Sequence, residues 1–85
     1  MARNGDVLEQ VLKGGGTVAF RDFERLLTAL GFVQRRQHGS HRIYVHPAFE
    51  RPFPIQPDGR DAKRYQIRQL RDIIVKHGLT LDADE

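Results

Sequence analysis

Two prolines spaced two residues apart, Pro52 and Pro54 in the stretch "ERPFPIQP", constrain the fold of this 85-residue chain more than any other feature. If the stretch is a strand, both missing N–H groups lie on the same side, where the strand cannot donate to a neighbour. Such a strand belongs at the edge of a sheet, and Phe53 and Ile55 then point inward.

The rest of the sheet must come from the residues before it. Phe32 to Gln37 reads as a short strand. Gly39-Ser40 matches the two-residue II′ hairpin turn, in which glycine supplies the positive φ at the first central position. Arg42 to His46 then alternates, with Ile43 and Val45 on one side and Tyr44 on the other, until Pro47 ends the strand. Three strands in a meander cannot bury both faces, so helices must cover one face and leave the other wet.

The helices are legible by period. Phe23, Leu26, Leu27 and Leu30 fall at i, i+3, i+4 and i+7 of a helix from Phe20 to Leu30, stopped by Gly31 at C′. Asp22 and Glu24 are expected in its first turn, where the helix dipole favours acids. A closing helix over Ala62–His77 turns Leu70, Ile73, Ile74 and His77 toward the core, with Asp61 as its expected N-cap and Gly78 as its stop. A short helix over residues 5–13, through Val7, Leu8, Val11 and Leu12, precedes Gly14-Gly15-Gly16. No strand precedes that glycine run and no Gly-Lys-Ser/Thr follows it, so it reads as a connector and not a phosphate loop. The order α, α, β, β, β, α defines an α+β domain.

An 85-residue chain is one domain that buries only about 60–65 % of its unfolded surface. It has no cysteine, so neither disulfides nor thiolate metal sites contribute. No apolar run approaches the roughly 20 residues needed to cross a membrane, and the start "MARNGDVLEQ" lacks the pattern of a signal peptide. A cytoplasmic location is expected. Between Arg35 and Arg71, nine Lys/Arg face three acids, net +6, whereas the remainder carries five basic and eight acidic residues, net −3. That asymmetry is the footprint expected of a polyanion binder, and equally that of a solvated face with uneven charges.

Three of the four histidines lie in "RRQHGSHRIYVHP". With Gly39-Ser40 as the turn, His38 and His41 sit opposite each other, their Cβ atoms about 5 Å apart. Two histidines fall short of the three protein ligands of a zinc site, and no Gly-x-Ser-x-Gly elbow activates Ser40. RNA cleavage asks for less, because the substrate supplies its own nucleophile, the 2′-OH. Histidine is suited to moving protons at neutral pH, and arginine to stabilising added phosphoryl charge. From these residues alone, a polar hairpin without chemistry is the preferred reading. Candidate phosphate contacts are Arg36, Arg42, Lys63, Arg64, Ser40 and the Gly39 backbone, the charged ones being equally read as solvated, and Tyr44 and Tyr65 are candidates for stacking on bases or for core or edge packing. His46, just before Pro47, reads as a surface strand residue, and His77 as either a packed histidine or one of the helix's last turn, favourable with the dipole.

"LLTALGF" followed by "RRQHGSHRIY", a strand with "PIQP" and a last helix ending "KHGL" resembles the HicA family of bacterial toxin–antitoxin modules over about residues 20–80. The resemblance implies a double-stranded-RNA-binding-domain-like α-β-β-β-α fold. Residues 1–19 would add a short helix and a Gly-rich connector, and 81–85 an acidic tail. It implies a ribonuclease that cleaves mRNA without metal or other cofactor, and a HicB-like antitoxin that covers the active site. His41, in Gly-Ser-His, takes the place of the family's catalytic histidine, with His38 as a second acid/base candidate. Many members carry a further histidine where this chain has Gln56, which is assigned to RNA contact, and many have Lys or Arg in place of His38. Two other outcomes are a non-catalytic RNA-binding module of the same fold and an interaction protein with decayed chemistry.

Overall fold

A computed structural model of the chain describes residues 3–81. The expected acidic tail lies outside them from residue 82 onward. The elements are α1 (Asn4–Lys13), α2 (Phe20–Ala29), β1 (Val33–His38), β2 (His41–His46), β3 (Phe49–Ile55), β4 (Pro57–Asp58), β5 (Asp61–Ala62) and α3 (Arg64–His77). The first three strands form an antiparallel sheet in the order β1-β2-β3. The fold is α+β, an α-β-β-β-α layout preceded by one helix.

β3 is the edge strand that its prolines require. Pro52 and Pro54 are exposed while Phe53 and Ile55 are buried. The hairpin also has the expected geometry. Gly39 has φ of +58° and, among the described residues, no non-glycine residue has positive φ, the sign pattern of a II′ turn. His38 pairs with His41 across it. α2 ends with Gly31 at φ +101°, and α3 is closed by Gly78 at φ +63°.

The helices pack on one face of the sheet. The core joins Val7 and Val11 of α1, Phe20, Phe23, Leu26 and Leu27 of α2, and Ile67, Leu70 and Ile74 of α3 to Tyr44, Phe53 and Ile55 of the strands. α1 thus belongs to the same core as the rest. All six residues of β1 are exposed. Register defines the two faces: Arg36 pairs with Ile43 and Ile43 with Pro54 on the open face, while Gln37 pairs with Arg42 and Arg42 with Ile55 on the helix face.

The segment after β3 departs from expectation. Asp61 is not the N-cap of the last helix. It lies in the small β4–β5 ribbon and bridges to Ala19, while the Ala62 N–H donates to the Val18 carbonyl at 2.8 Å and the Phe20 N–H to the Arg60 carbonyl at 2.8 Å. The backbone there is committed to the connector before α2, so the helix starts later. Lys63 occupies its N-cap, with no side-chain capping bond.

Candidate functional site

His38 and His41 are exposed on the open face at the hairpin end. Among the described residues neither imidazole has a hydrogen-bonding or ring partner, so both rings keep their nitrogens for a ligand. Arg36, two residues before His38 and on the same face, is exposed as well. At Gly39 a Cβ would meet nothing within 4 Å among the described residues, which leaves the turn's backbone approachable. Ser40 is exposed beside it.

Gln56 follows the last residue of β3. Carrying the Arg42–Ile55 pairing one step further sets Gln56 opposite His41. Its backbone N–H is held by the Gln66 Oε1 at 3.1 Å, and the Gln66 Nε2 donates to the Pro54 carbonyl at 3.3 Å. Gln66 is 5 % exposed and satisfies both ends of its carboxamide on the outer edge of β3. Gln66 is not legible as a site residue in the sequence, because a buried glutamine in a helix carries no local signal of its partner ten residues away.

Lys63 and Arg64 open α3, Lys63 half-buried and Arg64 exposed. Tyr65 is 49 % exposed, with the Lys63 Nζ at 6.0 Å from its ring centroid. Its face remains a surface feature.

Two expected RNA contacts belong elsewhere. Tyr44 is 3 % exposed, and its hydroxyl donates to the Glu24 Oε2 at 2.8 Å, so its ring is not open to a base. Burial, the Glu24 hydrogen bond and the Glu24 charge all push the Tyr44 hydroxyl above its ordinary pKa, with Arg42 opposing. Arg42, adjacent to His41, points to the helix face because strand residues alternate. It forms an ion pair with Glu24 and lies over the Phe20 ring at 5.1 Å. Its charge is therefore matched within the protein. Glu24 serves these two strand residues and not the helix dipole.

His46 is not a plain surface residue. Its Nδ1 accepts from the Ala48 N–H at 3.0 Å, which leaves Nε2 to donate to the Leu30 carbonyl at 2.9 Å. Its ring stacks on Phe49 at 5.0 Å, and Phe49 stacks on His77 at 4.4 Å. A groove of about 590 Å³ runs beside this column between β3 and α3, lined in part by Phe53, Pro54, Ile73 and Lys76. None of the expected site residues lines it. No group of three or more His, Asp or Glu among the described residues is placed to hold a metal ion.

The family model for the HicA toxin of bacterial toxin–antitoxin systems matches residues 20–79, most of the chain. The chain belongs to the HicA toxin family. The match begins at α2, so α1 is outside it. No curated protein and no solved structure matches the chain. Membership makes the chain a toxin component and implies an antitoxin partner. No helix among the described residues is long and apolar enough to cross a membrane.

Proposed function

We propose that this HicA-family toxin is a metal-independent endoribonuclease that cleaves mRNA at the His38–His41 hairpin. The observation that carries the reading is the pairing of two exposed, unpartnered imidazoles across a II′ turn, with Arg36 on the same face. In the reaction one imidazole takes the proton of the ribose 2′-OH as its oxygen attacks the adjacent phosphorus. The bond to the 5′-oxygen breaks, and the other imidazole donates a proton to that leaving oxygen. The products are a 2′,3′-cyclic phosphate and a free 5′-hydroxyl. His41 occupies the family's catalytic position and His38 is its partner. Arg36, the Gly39 backbone and Ser40 contact phosphate oxygens and offset the charge that develops on them.

Lys63, Arg64 and Tyr65 extend the RNA path beyond Gln56, the tyrosine offering a face to one base. A HicB-like antitoxin neutralises the toxin in the cytoplasm by covering the hairpin. The family resemblance favours a second reading, a non-catalytic RNA-binding module: it sets Gln56 where many members carry a further histidine, and a carboxamide transfers no proton near neutral pH.

The test incubates the purified protein in EDTA with a long single-stranded RNA and with its DNA counterpart. Cleavage of RNA alone supports the reading, because only RNA carries the 2′-OH nucleophile. RNA bound in a salt-dependent manner but left intact would replace it with the second.

A further inference from the structure

We infer that Gln66 is a positioning residue for the hairpin site, holding Gln56 in a row with His38 and His41 across the three strands. The inference rests on the ribonuclease reading above and assigns a place in it to two glutamines.

The outer edge of β3 lacks the N–H groups of Pro52 and Pro54. At the end of the strand it still presents the Pro54 carbonyl and the Gln56 N–H. Gln66 meets both, accepting at 3.1 Å and donating at 3.3 Å. A carboxamide carries the same donor and acceptor as a peptide unit, so Gln66 takes the part of a missing neighbouring strand. Its own burial makes those two bonds obligatory, since a buried polar group left unpaired keeps the full cost of its lost hydration.

The effect on Gln56 follows from backbone geometry. Pro57 restricts the preceding residue to extended conformations, so the alternation of β3 continues one residue past the strand. Phe53 and Ile55 face the helices, so Pro54 and Gln56 face the open side. The pairing of Arg42 with Ile55 then sets Gln56 across from His41, whose other neighbour is His38. A neutral carboxamide in that row donates N–H to a phosphoryl oxygen without competing for the protons that the two histidines move. Without Gln66, the end of β3 has no outward partner and Gln56 loses its register with the hairpin.

A Gln66 that only caps a sheet edge would affect folding and nothing else. The two roles separate in kinetics and in geometry. Gln56→Ala, Gln66→Leu and the double variant are compared on one RNA substrate, at a temperature where circular dichroism shows each folded. Each single variant is expected to lower kcat about 100-fold with little change in KM. The double variant is expected to fall no further, because both changes remove one contact. Gln66→Glu keeps the acceptor for the Gln56 N–H and is expected to lose less than Gln66→Leu. Wild-type kcat in folded Gln66→Leu, or losses that multiply in the double variant, would overturn the inference. The geometric readout needs no activity: a nuclear Overhauser contact between the Gln56 carboxamide and the His41 ring, present in the wild type and absent in Gln66→Leu. If the wild type cuts no RNA, the ribonuclease reading falls, and this contact still decides whether Gln66 positions Gln56. Its absence from the wild type, or its persistence in Gln66→Leu, would refute the positioning.

Discussion

The four histidines form two pairs at opposite ends of the sheet, and they differ in what their rings touch. His46 spends both nitrogens on the backbone, at Leu30 and Ala48, and shares an aromatic column with Phe49 and His77. His38 and His41 face each other across a two-residue turn, exposed. An imidazole with both nitrogens engaged is fixed in one tautomer and serves the fold, whereas one with free nitrogens can take and return a proton. Residue type alone does not separate the pairs. The difference lies in which end of the sheet the helices close. α2 ends at the Leu30 carbonyl and Gly31, where an added Cβ would come within 2.9 Å of the His46 Nε2. Among the described residues nothing comparable covers the Gly39-Ser40 turn.

This contrast can be broken by substitution, and the effects on stability should fall in a definite order. His46→Ala has the largest. It removes a stacked ring, an edge contact to Phe32 and two hydrogen bonds, and should cost about 2–3 kcal/mol in urea denaturation.

Tyr44→Phe should cost about 1 kcal/mol at neutral pH, for its hydrogen bond to Glu24. It also has a pH signature. The folded protein holds the Tyr44 hydroxyl protonated above its ordinary value of 10.0, so the unfolded chain releases that proton first. Stability is therefore fully present below about pH 10 and is lost as pH rises from there toward the raised folded value. Denaturation at pH 9 and pH 11 should show a smaller decline for Tyr44→Phe than for the wild type.

His77→Ala removes one stacked face from Phe49 at the exposed end of α3. It should cost about 0.5–1 kcal/mol, the scale of a single aromatic pair. His38→Ala and His41→Ala should have the smallest effect, leaving the urea midpoint unchanged. The same His41→Ala protein should have lost at least about 100-fold in RNA cleavage. A marked fall in stability for His41→Ala, or none for His46→Ala, would erase the distinction.

The features legible in the sequence are those set by local geometry. Pro52 and Pro54 announce an edge strand because they remove donors on one side. Gly39-Ser40 announces its turn through the φ that only glycine adopts freely, and with the turn comes the facing of His38 and His41. What was not legible depends on partners far along the chain. Alternation separates Tyr44 from Ile43 and Val45 but says nothing of which side meets the helices. Glu24 on α2 supplies that answer, binding both Tyr44 and Arg42. Asp61 has the residue type of an N-cap, but its backbone pairs with the connector near Ala19, and no periodicity reports such a bridge. His46 shows its role only when the Leu30 carbonyl and the Phe49 ring are brought to it.

The most direct test follows the imidazole resonances of all four histidines by nuclear magnetic resonance, in the presence of an RNA made uncleavable by 2′-O-methylation. The signals of His38 and His41 should shift in a saturable way, while those of His46 and His77 stay in place. Movement of His46 and His77 with His38 and His41 unchanged would contradict the account and put the RNA at the other end of the sheet.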